Sequence, residues 1–415
     1  MSTKEDVHPF KIAIPDAELH RLRQKLEGVR LPHRGVQDDA TAWGESASNG
    51  VSVGFIQKTV DFWLSDEYDW RAEERKINEM LPQFKTTIEI EDTEFGALDV
   101  HFVHAPSTNA SSAAAEPIPL LFLHGWPGSF LEVAKVLPHL TAAGITVVCP
   151  SLPGFGFSSY PNKTAGFKFF HHADVVHRLM TEKLGYAKYA VQGGDWGSIV
   201  ARSLALRYPD SVAAVHTNAL VIPSPPNFPP DSPPVYTPQE LNRLGLMQHF
   251  FQSESAYQAI HATKPVTFGV GLHDSPVAML AWVADKLLTW ADTDKEGKGG
   301  GFNWTPADLI TWTLVHWFSN EGPTTALAMY RENMPPLMVL PPEILREGGN
   351  YVSQPYGISA FAKEHSLVPR AWAEKENNVV FWAEHERGGH FAAWECPDEL
   401  SADIVAFLRE HWKAA

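Results

Sequence analysis

Val191-Gln192-Gly193-Gly194-Asp195-Trp196-Gly197-Ser198 is the stretch on which the reading of this chain turns. An apolar run, residues 189–192, leads into it, and an amphipathic run, residues 199–208, leads out. The pattern is strand, tight turn, helix. Small residues stand two before and two after Asp195, the spacing that presents one exposed side chain on a sharp strand-to-helix turn. The turn is too tight for Cβ atoms at those flanking positions. A carboxylate in that place is already ionised at neutral pH, and it is a recognised nucleophile that forms ester intermediates. Taken alone, the motif fits equally well an aspartate that caps the following helix. The rest of the chain has to decide between the two.

Upstream, residues 118–123 and 145–149 are short apolar runs, and residues 212–216 form another downstream. Amphipathic stretches such as 171–184 separate most of them. This alternation predicts a parallel sheet buried on both faces. Residues 223–238 are proline-dense and cannot be sheet interior. Residues 240–335 then read as mainly helical, with a glycine-rich loop at 297–301, and the strand–helix rhythm resumes at 351–361, 369–376, 379–384 and 398–412. The first 90 residues read as helical, with amphipathic segments at 17–26 and 55–64 and a Gly-, Ser- and Asp-rich loop between them. Residues 86–90 and 98–104 alternate as a β-hairpin, and residues 105–116 read as an exposed loop. The expected organisation is a helical leader (1–90) packing on the core, a first core segment (91–222), a helical cap (223–345) and a second core segment (346–415). A cap in that place covers the carboxyl ends of the strands, where open α/β sheets bind ligands.

Composition narrows the function. The 415 residues carry a formal charge of −16, which argues against nucleic-acid or anionic-membrane partners. Two cysteines, Cys149 and Cys396, make no disulfide framework. No run of about 18 apolar residues is present to span a bilayer, and the polar N-terminus MSTKEDVHPF has no signal-peptide core. A cytoplasmic protein without a transmembrane anchor is expected.

Two further motifs complete the chemistry. HGWPGS (124–129) follows a strand, in the place where a loop supplies a backbone N–H to an oxyanion hole. By position the two amide donors are Trp126 and Trp196. RGGHF (387–391) follows the last strand, and His390 there fits a general base in the order nucleophile, acid, histidine. The acid that orients it belongs after the penultimate strand, where Glu364 stands. Glu374, Glu376, Glu384 and Glu386 compete on composition, but the first two sit on a predicted helix and the last two end the following strand. The aromatics Trp126, Phe155 and Trp196 around the turn suggest an apolar substrate.

With these residues in place, the chain resembles the microsomal-type epoxide hydrolase family, including its soluble fungal members. HGWPGSF (124–130), PSLPGFGFS (150–158), QGGDWGS (192–198), TKPVTFGVGLHDSPV (263–277), MYRENM (329–334) and RGGHFAAWE (387–395) carry the likeness, with PFKI and ERKINEMLPQFKTTIE in the leader. Two departures are visible: the apolar N-terminal helix of the membrane-anchored members is missing, and residues 223–238 are unusually rich in proline. The resemblance implies an α/β-hydrolase fold, with a mostly parallel central sheet, helices on both faces, a late helical cap and a helical leader. It implies an apolar epoxide and water as substrates, an aspartyl ester intermediate, a vicinal diol as product, no cofactor or metal, and a homodimer. It also implies two cap tyrosines holding the epoxide oxygen, which carry over to Tyr257 and Tyr330, with Tyr351 and Tyr356 ranked behind them. Two rival functions share the Asp195 turn: a haloalkane or haloacid dehalogenase, and a hydrolase fold that only binds a ligand.

Overall fold

A computed structural model describes residues 6–32, 46–47, 50–90, 94–109, 116–161, 165–222, 226–293, 301–334 and 351–413. The loop expected between the first two helices, much of 105–116 and 297–301, and the start of 223–238 lie outside them.

The elements run β1 (His8–Phe10), α1 (Asp16–Glu27), β2 (Ser46–Ala47), β3 (Gly50–Val51), α2 (Val53–Leu64), α3 (Trp70–Met80), β4 (Gln83–Glu89), β5 (Ala97–Ala105) and β6 (Ile118–Leu123). Next come α4 (Val133–Ala142), β7 (Ile145–Pro150), α5 (Phe169–Arg178), β8 (Tyr189–Gly193), α6 (Asp195–Arg207) and β9 (Val212–Thr217). Six helices follow: α7 (Pro238–His249), α8 (Ala256–Thr263), α9 (Pro265–Asp274), α10 (Pro276–Trp290), α11 (Pro306–Trp317) and α12 (Pro323–Asn333). The chain closes with β10 (Val352–Ala360), α13 (Arg370–Glu376), β11 (Asn377–Glu384), α14 (Ala392–Glu395) and α15 (Pro397–His411).

Nine strands form one sheet in the order β1-β4-β5-β7-β6-β8-β9-β10-β11. From β7 to β11 the neighbours are parallel. β5, β4 and β1 are added antiparallel at one edge. The central strands are apolar on both faces: Leu120, Leu121, Val147, Val148, Val191 and Val215 are all fully buried. This two-sided burial explains their continuous apolar runs. β6, β8 and β10 deliver His124, Asp195 and Glu364 to the carboxyl edge of the sheet, and the chain after β11 delivers His390 there.

The leader departs from its purely helical expectation. β1 is a strand, pairing His8 with Lys85 and Phe10 with Gln83. Three residues around Pro9 are too few to show alternation, so the pairing exists only in the assembled sheet. α3 buries only Trp70, Glu74 and Ile77. Glu74 lies inside because its carboxylate accepts hydrogen bonds from the Ile14 amide at 2.7 Å and the Trp70 indole at 3.2 Å. α1 and α2 pack on helices of the insert, α2 touching α10 and α11 and α1 touching α10. The Tyr68 hydroxyl pairs with Thr311 at 3.1 Å across the same contact. Among the described residues, no helix is long and apolar enough to cross a membrane.

Buried histidines set the response of the fold to acid. Burial pushes His124, His216 and His316 down to about 4 and His172 to about 3. It also holds His101, His261 and His365 well below their ordinary range. An unfolded chain protonates each of them near pH 6.5, so between there and the folded values unfolding takes up protons and stability falls with pH. Glu132 and Glu395, raised by burial to about 8 and about 7, act oppositely, losing stability as pH rises above the ordinary carboxylate range. The histidines outnumber them. The urea midpoint is therefore expected to fall between pH 6.5 and pH 4.5, with each net proton worth about 1.4 kcal/mol per pH unit. Equilibrium unfolding across that range checks it, and a midpoint independent of pH contradicts it.

Candidate active site

Asp195 stands where β8 gives way to α6, and it is the one non-glycine described residue with a positive φ, 46°. That conformation costs an L-residue roughly 1–2 kcal/mol, a strain typical of functional turns. A Cβ on Gly193 would overlap the Gly197 backbone, and one on Gly197 would lie 2.5 Å from the Leu123 carbonyl oxygen. These close approaches are the physical content of the small-residue spacing. Asp195 is the first residue of α6 and Gly194 is the cap, with no side-chain capping bond. The carboxylate bonds elsewhere: the Trp126 amide donates to Oδ1 at 2.8 Å.

His390 lies on the other side of that carboxylate, its Nε2 3.3 Å from Asp195 Oδ2. Its Nδ1 is 3.0 Å from both Glu364 oxygens. Glu364 is fully buried in the turn after β10, and its Oε1 also accepts the Ser366 amide at 2.7 Å. The His390 backbone N–H donates to the Trp290 carbonyl at 3.0 Å. Burial works against a charged imidazole here, but the Glu364 charge and the hydrogen bonds to Asp195 and Glu364 outweigh it. His390 is therefore held well above its ordinary pKa.

Trp196 is the second residue of α6, so its amide is one of the helix's unpaired first-turn donors beside Asp195. The positive end of the same helix favours the carboxylate's charge. Tyr257 on α8 and Tyr330 on α12 enter from the insert, with ring centres 5.7 Å apart. The Tyr257 ring stacks on Trp126 at 5.2 Å, and the Tyr330 ring meets Trp196 edge-on at 5.1 Å. Both tyrosines border a cavity of about 70 Å3 together with Asp195, Trp196, Ile199, Val221 and Met334. The Tyr257 hydroxyl accepts a hydrogen bond from Gln258 at 3.2 Å. The Tyr330 hydroxyl is buried beside Tyr257 and Trp196 but makes no well-formed hydrogen bond to either. Burial, reinforced by the Asp195 charge, raises both phenols above their ordinary pKa, so both keep their protons.

Not every expected residue reaches this place. Phe155, expected at the substrate, packs its ring on His124 at 5.2 Å and borders neither cavity at Asp195. The glycines on either side, Gly154 and Gly156, both have positive φ and turn the ring into the core. Tyr351 is exposed, and Tyr356 is buried on β10 away from the cavity. Three of the four rival glutamates are paired elsewhere, Glu374 with Arg370, Glu376 with Arg202 and Glu384 with Arg243, and the fourth, Glu386, is exposed.

Three neighbours escaped the sequence reading. Trp290 meets the His390 ring edge-on at 5.3 Å. His365 lies 4.8 Å from the His390 ring, and burial and the His390 charge hold it far below its ordinary pKa. Glu132 borders a second, smaller cavity with Asp195 and His390. Glu132 is the one near a motif, two residues past HGWPGSF (124–130). Glu364, His365 and His390 are the one group of described residues spaced to hold a metal, with ligand atoms within 4.8 Å, but Glu364 and His390 already bond each other.

The family model described as epoxide hydrolase N terminus matches residues 7–133, and that of the alpha/beta hydrolase fold matches residues 118–264. Epoxide hydrolase 1 of Oryctolagus cuniculus is 32% identical over 429 residues, covering 97% of this chain and 89% of that protein. The solved structure of the Aspergillus niger epoxide hydrolase superposes with a TM-score of 0.81 at 31% identity, covering 98% of this chain and 96% of that one. Juvenile hormone epoxide hydrolase from the silkworm Bombyx mori superposes with a TM-score of 0.83 at 27% identity, covering 98% and 94%. On these likenesses, which run nearly end to end, the chain belongs to the epoxide hydrolase family of the α/β-hydrolase fold.

Proposed function

We propose that this epoxide hydrolase works in two half-reactions, the first carried by Asp195 and the second by His390. The observation that carries the reading is the cavity Asp195 shares with Tyr257 and Tyr330. In the first half-reaction an Asp195 carboxylate oxygen bonds to an epoxide carbon and the carbon–oxygen bond of the ring breaks. The electron pair passes to the ring oxygen, a poor leaving group until a phenol donates to it. Two protonated phenols are the donors this step needs. The Tyr330 hydroxyl suits the part, since a buried donor with no well-formed bond costs roughly 1–3 kcal/mol until a ligand accepts it.

In the second half-reaction His390, oriented by Glu364, takes a proton from water as the water oxygen bonds to the ester carbonyl carbon. The developing oxyanion is the Asp195 oxygen that already accepts the Trp126 amide, and the Trp196 amide is its second donor. Collapse breaks the bond to the diol oxygen, which recovers the proton from His390, and the proton left on the regenerated Asp195 carboxyl returns to the phenolate formed in the first half-reaction. Trp196, Ile199, Val221 and Met334 on the cavity wall favour an apolar epoxide. The insert acts as a cap that brings the tyrosines to the core, and α1 and α2 brace it from outside.

A panel of apolar epoxides assayed for vicinal diol tests the reading. Tyr330→Phe is expected to slow ring opening by about 10²-fold. Tyr257→Phe acts in the same direction, and the double variant loses more than either. Halide release from haloalkanes at a rate untouched by Tyr330→Phe contradicts the reading.

A further inference from the structure

Hydrolysis of an ester at Asp195 needs a seat for the attacking water, and the molecule contains a space of that size. A cavity of about 10 Å3 lies between Asp195 and His390, bordered also by Gly125, Gly128, Gly194 and Glu132. About 10–15 Å3 of such volume holds one water, provided two to four polar groups face it. His390 and Asp195 supply two. Three glycines leave backbone at the wall, and Trp126 and Phe391 close the rest of it. Glu132 is the remaining titratable side chain on the wall.

Glu132 closes a short helical turn, Phe130–Glu132, that continues the Trp126 loop. The fit is close: a Cβ on Gly128 would collide with the Glu132 carboxyl. No described cation pairs with that carboxyl. Its surroundings are the Ser129 backbone, His390, Asp195 and, more remotely, the Cys149 thiol.

We propose that Glu132 is a positioning residue for the hydrolytic water, holding it in this cavity between the ester carbonyl of Asp195 and Nε2 of His390. The inference rests on the covalent reading above. In the seat the water donates one hydrogen to His390 and the other to a Glu132 oxygen, which leaves a lone pair facing the Asp195 carbonyl carbon. The proton that moves goes to His390. Glu132 accepts a hydrogen bond and gains no proton. Burial, with the nearby Asp195 charge, pushes its pKa up to about 8, so at neutral pH it is an uncharged acid beside the nascent oxyanion. A neutral acceptor orients the water without repelling that charge. The same loop thereby provides the oxyanion donor through Trp126 and the water seat through Glu132.

The two half-reactions separate this role from a merely structural one. Excess enzyme is mixed with styrene oxide, and the ester on the Asp195 peptide is followed by rapid quench and mass spectrometry. Glu132→Leu, or Glu132→Met if the first does not fold, is expected to form the ester at the native rate and hydrolyse it about 10²-fold more slowly, the scale of a misplaced reactant. Glu132→Gln keeps an acceptor oxygen and restores most of the hydrolysis. Ester hydrolysis at the native rate in the Leu or Met variant overturns the proposal. So does an equal slowing of both steps, which marks a packing role. If no ester forms even in the native protein, it is the covalent reading itself that fails.

Discussion

Asp195→Asn is expected to lower diol formation by on the order of 10⁵-fold or more, the scale on which removal of a nucleophile is felt. The substitution suits the site. Asparagine tolerates the left-handed conformation that Asp195 adopts at φ 46°. Its side-chain oxygen can still accept the Trp126 amide, so the turn is expected to keep its shape and the melting temperature to change little. What disappears is the charge and the lone pair that attacks carbon. His390 should respond as well. Asp195 is one of the partners that hold its pKa up, so the imidazole is expected to titrate lower in the variant. Steady-state assays together with a histidine titration by NMR check both effects. An Asp195→Asn variant that turns over at a tenth of the native rate is incompatible with a carboxylate nucleophile.

His390→Gln is expected to leave the first half-reaction working and to stop the second. One equivalent of epoxide should be consumed rapidly, and the ester should then persist, with hydrolysis slowed by about 10³-fold. Intact-protein mass spectrometry reads the adduct directly. The electrostatics explain how one histidine serves both states. In the free enzyme two carboxylates face His390, at 3.0 and 3.3 Å, and favour the imidazolium. On the proposed mechanism, alkylation turns Asp195 into a neutral ester and removes one of them. The pKa of His390 then drops, and the ring becomes a base when a base is needed. The hydrolytic step is thus expected to speed up as pH rises through the ester-state pKa of His390 and to level off above it. A fall in that step over the same range contradicts the assignment.

Much of this was legible in the sequence, for a physical reason. Strands buried on both faces must be apolar throughout, so β6, β7, β8 and β9 announce themselves as runs. The Asp195 turn is equally plain, because its close backbone approaches exclude side chains at Gly193 and Gly197. The order of Asp195, Glu364 and His390 along the chain follows from the order of the strands. Features created only by assembly were not legible. β1 exists through its pairing with β4, and Glu74 is buried because the distant Ile14 amide meets it beside the Trp70 indole of its own helix. His365 reaches His390 from the turn after β10 and Trp290 from the end of α10, with no local pattern to mark them. Phe155 was misplaced for the converse reason: its position beside a glycine-rich turn was visible, but the direction in which that turn points its ring was not.

The covalent ester at Asp195 is the central intermediate of the proposed reaction, and oxygen tracing follows it atom by atom. One turnover is run with enzyme in excess over epoxide in heavy-oxygen water. The diol and the peptide containing Asp195 are then weighed by mass spectrometry. Label is expected in the Asp195 carboxyl and not in the diol of that first turnover, because the diol takes its new oxygen from the carboxylate and water replaces it there. Label appearing directly in the diol, with none in the Asp195 carboxyl, would contradict the ester intermediate.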